Sequence, residues 1–441
     1  MHELAIRNAR LLQDGTWRHV DIGIDEGRFT SFAPNSAKKT LNANGRMIFP
    51  GGVDLHVHFN EPGRTHWEGF ATGSLAAAAG GNTFLVEMPL NSIPTTVSVE
   101  TLRSKLAAIA QKSLVDFGLW GGLVPGNVKD IEGLHRAGVA GFKAFMSPSG
   151  TDDFKNSDVA TLRAGMIEIA KTGKVLAIHA EDPAILREAE TKLAQKRTAL
   201  DWERSRPIEA EMSAVNIAID LAGETGCRIH IVHVSAPEVL ELIASAKAKG
   251  VAITCETCPH YLLMSMEEAD AIGPNAKCAP PLRPRHVMET MWTALSNGLI
   301  DTIGSDHSPC TPDLKTGRAY YDAWGGISGI QHGLPLLWQE ALVDSKLLQS
   351  IIELSSIQAA NLINLSEKGA INLGYDADFV LAETLSTPYR IKTEALHYRN
   401  RHSPYCDRTL TVTVSETWLR GTCLYRKGEA ASEPNGKFLA F

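Results

Sequence analysis

The sequence of 441 residues predicts an α/β fold, a (β/α)8 TIM-like barrel joined to a small composite β-sandwich domain. Three observations support this prediction. Eight short apolar runs alternate with helical segments in the middle of the chain, as in a barrel of parallel strands. Both terminal segments consist of short alternating β patterns separated by turn residues. Polar residues that can bind metals cluster at the ends of the apolar runs, where barrel active sites lie.

The barrel strands are predicted from short, apolar, β-prone runs. Between them lie segments such as VETLRSKLAAIAQK, whose apolar residues recur at steps of three and four, which is typical of amphipathic helices. The predicted strands are VDLHVHF (53–59), NTFLVEMP (82–89), VDFGLWGG (115–122), VAGFKAFM (139–146), KVLAIHA (174–180), CRIHIVHV (227–234), VAITCETC (251–258) and IDTIGSD (300–306).

The chain is predicted to divide into three parts. Residues 1–50 form the N-terminal part of the β-sandwich, with breaks at Asp14-Gly15 and at the turn that contains Gly27. Residues 51–365 form the barrel, and residues 366–441 supply the C-terminal part of the sandwich. The segment TLTVTVSETWLRGTCLYRKG again shows short alternating β patterns, so we expect the two ends of the chain to pair with each other.

Composition disfavours several classes of function. Hydrophobic residues make up 44% and charged residues 21% of the chain, which is ordinary globular usage, and the formal net charge is −7. Because no Lys/Arg-rich run occurs, neither nucleic acid nor an anionic membrane is expected as a partner. No signal peptide and no membrane-spanning run is apparent. The seven cysteines favour reduced thiols and a cytoplasmic location, and the Cys255/Cys258 pair lacks the second pair of a zinc ribbon.

The residues that carry chemistry lie at the carboxyl ends of five predicted strands. Residues i and i+2 of a strand point to the same side, so the two histidines of HVH project together. Taken alone, such a pair is equally typical of a partly solvated strand face. Four histidines, a lysine and an aspartate at one rim, however, are hard to explain as core residues, because burying ionisable groups is costly. We therefore predict a metal site made by His56, His58, Lys143, His179, His233 and Asp306.

This set predicts two divalent ions, because four imidazoles and a carboxylate exceed the needs of one tetrahedral zinc. Two neighbouring ions need a bridging anion. Lys143 can supply it if its amine is desolvated, and hence neutral, and captures carbon dioxide to form a carbamate. The alternative is a lysine that pairs with a carboxylate. Zinc is the first expectation for the metal, and Co²⁺, Mn²⁺ and Fe²⁺ also suit nitrogen and oxygen ligands.

The sequence resembles the cyclic-amidohydrolase branch of the amidohydrolase superfamily over essentially its whole length. The resemblance implies that His56, His58, His179 and His233 are metal ligands. It also implies an N6-carboxylysine at Lys143, a dual role for Asp306 as ligand and catalytic acid/base, and a homotetramer. The motifs that carry it are PGGVDLHVHFNEPGRTHWEG, EMPLNSIPTT, GFKAFM, IHAED, HIVHVSAPE, CETCPHYL, KCAPPLR and SDHSPC.

Within this branch the allantoinases are the most similar group. Dihydroorotases carry an arginine two residues after the HVH pair to hold a carboxylate, and this chain has Asn60. Hydantoinases and dihydropyrimidinases carry a tyrosine shortly after the lysine, whereas KAFMSPSG has none. The resemblance thus implies hydrolysis of the hydantoin ring amide of allantoin to allantoate, a step of purine degradation. A hydantoinase/dihydropyrimidinase-type or dihydroorotase-type activity on another cyclic ureide is the alternative.

Several further residues are candidates for the substrate site. Asn91 and Ser328 are predicted to bind the substrate, with ordinary loop capping as an equal alternative. Arg64 is expected to form a surface ion pair. Ala279 replaces the serine that many relatives carry before two prolines, while His230, His260 and His307 have no predicted role. A non-catalytic scaffold is disfavoured, because all six metal-binding side chains are present.

Overall fold

The computed structural model describes residues 1–441 and contains seventeen β-strands and fourteen α-helices. The strands are β1 His2–Gln13, β2 Thr16–Asp25, β3 Arg28–Ser31, β4 Ala37–Asn42, β5 Met47–Pro50, β6 Gly52–Val57, β7 Asn82–Glu87, β8 Asp116–Gly122, β9 Gly141–Phe145, β10 Val175–His179, β11 Arg228–Ile231, β12 Ile253–Thr257, β13 Thr302–Ile303, β14 Phe379–Arg390, β15 Thr409–Leu419, β16 Thr422–Arg426 and β17 Glu429–Ala430.

The helices lie mainly between the strands of the central region. They are α1 Phe70–Ala79, α2 Val99–Ile109, α3 Ile131–Arg136, α4 Val159–Thr172, α5 Pro183–Thr191, α6 Ala199–Ser205, α7 Ile208–Thr225, α8 Pro237–Ala248, α9 Pro259–Leu263, α10 Met266–Ile272, α11 Arg285–Ser296, α12 Gly333–Ala341, α13 Ser345–Leu354 and α14 Ile357–Leu362. None of these helices has the length and the continuous apolar character that crossing a membrane requires.

The central region is a barrel of eight parallel strands, in the order β6 to β13, which confirms the predicted (β/α)8 architecture. The sheet closes where the residues after β13 meet β6. There Val57 forms a bridge with His307, and the His58 N–H donates to the His307 carbonyl at 2.8 Å. Each of the eight predicted runs overlaps one strand of the barrel. Closure brings the carboxyl ends of the strands to one rim.

Local sequence signals determine where individual elements begin and end. Helix α4 begins after Asp158, whose carboxylate accepts a hydrogen bond from the Thr161 N–H, and ends at Gly173 with φ +69°. An acceptor at the N-cap and a left-handed glycine after the last turn are the usual signals for these positions. Strands β6 to β9 are buried along their entire length, so their sequences are nearly continuously apolar instead of alternating.

The two ends of the chain combine into one mixed nine-stranded sheet, as predicted. The N-terminal strands β1 to β5 meet the C-terminal strands β14 to β17 through the antiparallel pair of β5 and β14, in which Ile48 opposes Leu381. The sheet forks at β1, because its first residues pair with β4 while Arg10 and Leu11 pair with β5. The domain limits at 50/51 and 365/366 stay a prediction.

The last residues of the chain leave this sheet and pack against the barrel. Phe438 forms a parallel bridge with Phe117 of β8, and the Leu439 N–H donates to the Phe117 carbonyl at 2.8 Å. The ring of Phe441 lies 6.2 Å from that of Phe84 in β7. The C-terminal segment therefore covers apolar side chains of the barrel strands.

The composite sheet depends on an aromatic stack that joins β14 to β15. Phe379 is completely buried and stacks on Trp418 at 5.3 Å with 12° between the ring planes. We expect Phe379→Ala to lower the free energy of unfolding by about 3–5 kcal/mol, because it leaves a cavity. Thermal and urea unfolding measure this loss. Phe32→Ala is the control, since Phe32 is 41% exposed; equal losses in both variants would contradict the assigned packing.

Candidate metal centre

The six side chains predicted to bind metal all lie at the carboxyl rim of the barrel; five are buried, and the Asp306 side chain is 13% exposed. A cavity of about 460 Å³ opens at this rim. Five of the six residues line it, namely His56, His58, His179, His233 and Asp306. Lys143 is completely buried and is not part of the cavity wall.

Three of these residues form a first group in the wall of the cavity. Oδ1 of Asp306 lies 3.2 Å from Nε2 of His56 and 3.5 Å from Nε2 of His58. One ligand atom from each residue lies within 4.8 Å of the others, so the group is compact enough to hold a single ion. Two imidazoles and a carboxylate match the ligands of divalent transition metals.

His179 and His233 form a second group beside the first. Nδ1 of His179 lies 2.9 Å from Nε2 of His233, and the ring centroids are 4.7 Å apart. The centroid of the His233 ring lies 5.5 Å from that of His56, so the two groups are adjacent. The arrangement offers two neighbouring ligand sets, each with two imidazoles.

Two of the predicted ligand residues lie just beyond their strands in an unusual backbone conformation. His233 follows β11 and Asp306 follows β13, and both have φ +43°. Left-handed backbone at a residue other than glycine costs about 1–3 kcal/mol and persists where the surroundings enforce it. At Asp306 the enforcing contacts are the Ser305 N–H, which donates to Asp54, and the His307 N–H, which donates to the Ser305 hydroxyl.

Lys143 places an amine inside the barrel without a hydrogen-bond partner. It lies in β9, where it pairs with Gly122 of β8 and Ala177 of β10. Its Nζ is 4.9 Å from the centroid of the Phe145 ring and forms no hydrogen bond. Burial lowers the pKa of the Lys143 amine to about 7. The ion pair with a carboxylate that formed the alternative interpretation is not made.

Acceptors behind two of the imidazoles fix which nitrogen faces the cavity. Nδ1 of His56 donates to Oε1 of Glu256 at 2.6 Å, and Nδ1 of His58 donates to the carbonyl of Leu90 at 3.0 Å. Both rings therefore present Nε2 to Asp306. Such partners orient metal-binding imidazoles and raise their basicity. Sequence reasoning missed Glu256, although the CETCPHYL motif contains it.

Asp306 remains ionised in this setting. Burial alone would raise the pKa of its carboxyl group, but the adjacent His56 and His58 outweigh that effect and hold the pKa well below its usual value. His260 is nearby and buried, and desolvation lowers the pKa of its imidazole to about 4. Neither nitrogen of His260 has a hydrogen-bond partner.

The structure brings only one of the two predicted substrate residues to the cavity. Asn91 lines the wall, and its amide donates to Oδ1 of Asn60 at 3.4 Å. Ser328 does not line the wall; its hydroxyl is buried without a partner, and Gly325 and Gly326 occupy that side. The contact of Ser328 with a substrate stays a prediction. Ala279, which replaces the expected serine, does line the cavity.

Arg64 and two further histidines have structural contacts. Arg64 forms the expected ion pair, with Asp153 at 2.6 Å, and also donates to the Asn91 carbonyl at 2.6 Å. It thereby holds the loop that carries Asn91. Nδ1 of His230 lies 2.8 Å from the Thr254 hydroxyl, and His307 accepts a hydrogen bond from a backbone N–H, so neither histidine belongs to the ligand set.

Comparison with known proteins gives consistent results for family and fold. A model of the amidohydrolase family matches residues 47–423. The chain is 44% identical to an allantoinase of Rubrobacter xylanophilus, over 99% of this chain and 97% of that protein. It is 43% identical to an allantoinase of Streptomyces avermitilis, over 99% and 98% of the two chains. The structure of an L-hydantoinase (dihydropyrimidinase) from Arthrobacter aurescens has a TM-score of 0.96 at 31% identity and covers 100% of both chains.

Two completely buried lysines make it possible to test whether the Lys143 amine is structural. Lys105 pairs with Glu87 at 2.6 Å, whereas Lys143 has no partner. In metal-free protein prepared without bicarbonate, we expect Lys143→Met to be neutral or to raise the free energy of unfolding by about 1–3 kcal/mol, because it removes an unsatisfied buried group. Lys105→Met should lower it by about 3–5 kcal/mol, since Glu87 loses its partner. Urea unfolding gives both values, and a comparable loss in the Lys143 variant would contradict the assignment.

Proposed function

The chain belongs to the amidohydrolase family, and we propose that it hydrolyses a ring amide of allantoin to give allantoate. The observation that carries the proposal is the pair of adjacent predicted ligand groups in the cavity wall, together with the unpartnered buried amine of Lys143. Similarity to allantoinases over nearly the whole chain supports the choice of substrate. Allantoin is a cyclic ureide, a hydantoin ring that bears a ureido arm.

We propose that two divalent ions, with zinc as the first candidate, occupy the centre. Asp306, His56 and His58 would hold one ion, and His179 and His233 the other. The buried amine of Lys143 fits an N6-carboxylysine shared between the groups, because a neutral amine can capture carbon dioxide and the carbamate would satisfy a site that is now unpaired. When bound, the ions would supply a hydroxide at neutral pH and would polarise the scissile carbonyl.

Asp306 moves the proton that ring opening requires. Its Oδ1 faces His56 and His58, and Oδ2 makes no hydrogen bond, so Oδ2 is free to accept a proton from the nucleophile. The oxygen nucleophile forms a bond with the carbonyl carbon, the bond from that carbon to the ring nitrogen breaks, and Asp306 returns the proton to the nitrogen. Without this transfer the nitrogen would leave as a poor anionic group.

The cavity wall offers contacts that suit a planar, polar ring. Asn91 can exchange amide hydrogen bonds with the imide group of a hydantoin, and Arg64 holds the Asn91 carbonyl in place. Phe145, Trp202 and Tyr321 also line the cavity and add aromatic surface. With Asn60 in place of an arginine after the HVH pair, the loop supplies no countercharge for a ring carboxylate, which disfavours dihydroorotate as the substrate.

One observation favours a second candidate function. The L-hydantoinase from Arthrobacter aurescens matches the whole fold with a TM-score of 0.96, so a simple hydantoin or dihydropyrimidine is the alternative substrate. The absence of tyrosine from the KAFMSPSG segment disfavours this alternative.

We also propose a homotetramer located in the cytoplasm. The tetramer rests on the resemblance to the cyclic amidohydrolases. The location is supported by seven cysteines without disulfides, five of which are buried.

A panel of cyclic ureides tests the substrate directly. We expect kcat/KM for allantoin to exceed that for hydantoin, dihydrouracil and dihydroorotate, because KAFMSPSG lacks the tyrosine of hydantoinases and Asn60 cannot pair with a ring carboxylate. The measurement is hydrolysis of each compound by metal-replete protein, with the metal content determined on the same sample. Faster turnover of dihydrouracil than of allantoin would refute the proposed substrate.

Asp306→Asn tests the acid/base role. Because asparagine cannot carry the proton, we expect kcat to fall by roughly 10²–10⁴-fold. Asp322→Asn is the matched control, since Asp322 lines the same cavity without contacting the ligand groups, and it should change kcat by less than about threefold. Steady-state kinetics is combined with metal analysis of the same sample. A lower kcat with unchanged metal content indicates loss of the proton carrier, whereas a lower metal content indicates loss of a ligand. An Asp306→Asn enzyme with unchanged kcat would exclude this role.

A further inference from the structure

We propose that Glu181 and Arg206 act as a positioning pair that fixes Nδ1 of His179 as the atom facing the metal centre. The proposal rests on the metal-dependent hydrolysis proposed above and concerns two residues to which that mechanism gives no role. Glu181 belongs to the IHAED segment, two residues after the ligand it contacts. Arg206 comes from the turn between α6 and α7 and lines the cavity.

Hydrogen bonds on both sides of the His179 ring define its tautomer. Nε2 of His179 lies 2.7 Å from Oε2 of Glu181, while Nδ1 faces Nε2 of His233 at 2.9 Å. Arg206 donates through Nε to Oε1 of Glu181 at 2.9 Å and through Nη2 to Oε2 at 2.5 Å. A carboxylate held by a guanidinium in this way only accepts hydrogen bonds, so Nε2 carries the hydrogen. Nδ1 then keeps its lone pair for a metal ion.

The positioning pair is itself held rigidly. Glu181 is completely buried, and the Arg206 guanidinium lies over the Trp202 ring at 4.9 Å. The indole N–H of Trp202 donates to the Cys278 carbonyl at 2.7 Å, and Arg283 donates to the Arg206 carbonyl at 2.7 Å. These contacts leave the carboxylate little freedom to turn. A surface ion pair between two loops would not need such anchoring.

His179 presents Nδ1, whereas the other three imidazoles present Nε2, so the pair acts on one ligand of the second group. In the first group, His56 gives Nδ1–H to Glu256 and presents Nε2, whereas His179 gives Nε2–H to Glu181 and presents Nδ1. His233 has no hydrogen-bond partner at its buried Nδ1. In the second group, therefore, only His179 has an acceptor behind its ring, and Glu181, held by Arg206, is that acceptor. Loss of the pair should release the second ion and spare the first.

Metal retention measures this effect independently of activity. Wild-type protein and variants are loaded with zinc and bicarbonate and dialysed against a chelator, and zinc per chain is then determined. We expect about two ions in the wild type and about one in Glu181→Ala, and Arg206→Met should lose one ion faster than the wild type. Glu181→Gln should retain more zinc than Glu181→Ala, because its amide oxygen can still accept from Nε2–H. Anomalous difference maps at the zinc edge should place the retained ion at Asp306.

A buried carboxylate that touches no imidazole serves as the control. Asp378 pairs with Lys368 at 2.7 Å, and Asp378→Ala should keep both ions. Retention of two ions by both Glu181→Ala and Arg206→Met would overturn the positioning role. In the zinc-loaded wild type, an ion bound to Nε2 of His179 would overturn it without any variant. A wild-type chain that binds no metal under these conditions would overturn the proposed function as well. The wild-type metal content thus distinguishes failure of the proposed function from failure of the positioning role alone.

Discussion

The cost of removing ionisable groups from water governs the carboxyl end of this barrel. Four imidazoles and an amine are buried within one small region, beside the largely buried carboxylate of Asp306. Isolated buried charges are expensive, so each group must be neutral, hydrogen-bonded or coordinated. Asp306 meets this requirement through two imidazoles, and His56, His58 and His179 through acceptors behind their rings. The Lys143 amine remains unpaired, and the proposed carbamate with bound cations would satisfy it.

The scaffold supports this arrangement in two ways. Closure of the barrel between Val57 and His307 brings the first and last strands together, so that Asp306 meets the histidines of β6 and its following loop. The composite sheet and the C-terminal segment, whose Phe438 pairs with Phe117, enclose apolar side chains elsewhere on the barrel. These apolar contacts stabilise the fold at sites away from the rim. The rim itself contains residues with strained backbone, such as His233. Such strain is typical of functional sites.

Much of this organisation could be predicted from local sequence patterns. The spacing of apolar residues and the local composition indicate which side chains are buried. The eight strands, the pairing of the two chain ends and the six rim residues follow from such patterns. Strand lengths do not follow from these patterns, since β13 contains only Thr302–Ile303. The left-handed backbone at Asp306 does not follow from them either, because tertiary hydrogen bonds impose it. The partnership of Glu181 with Arg206 spans 25 positions and depends on how α6 meets the rim. Ser328 was predicted from its segment alone, but two glycines of that segment face the cavity in its place.

The central claim is that a modified Lys143 and the surrounding imidazoles hold two ions. A high-resolution crystal structure of protein purified with zinc and bicarbonate tests it most directly. The account predicts continuous density for a carboxylate on Nζ of Lys143 and two anomalous peaks, one beside His56, His58 and Asp306 and one beside His179 and His233. An unmodified amine with no ion among the imidazoles in the same preparation would contradict it.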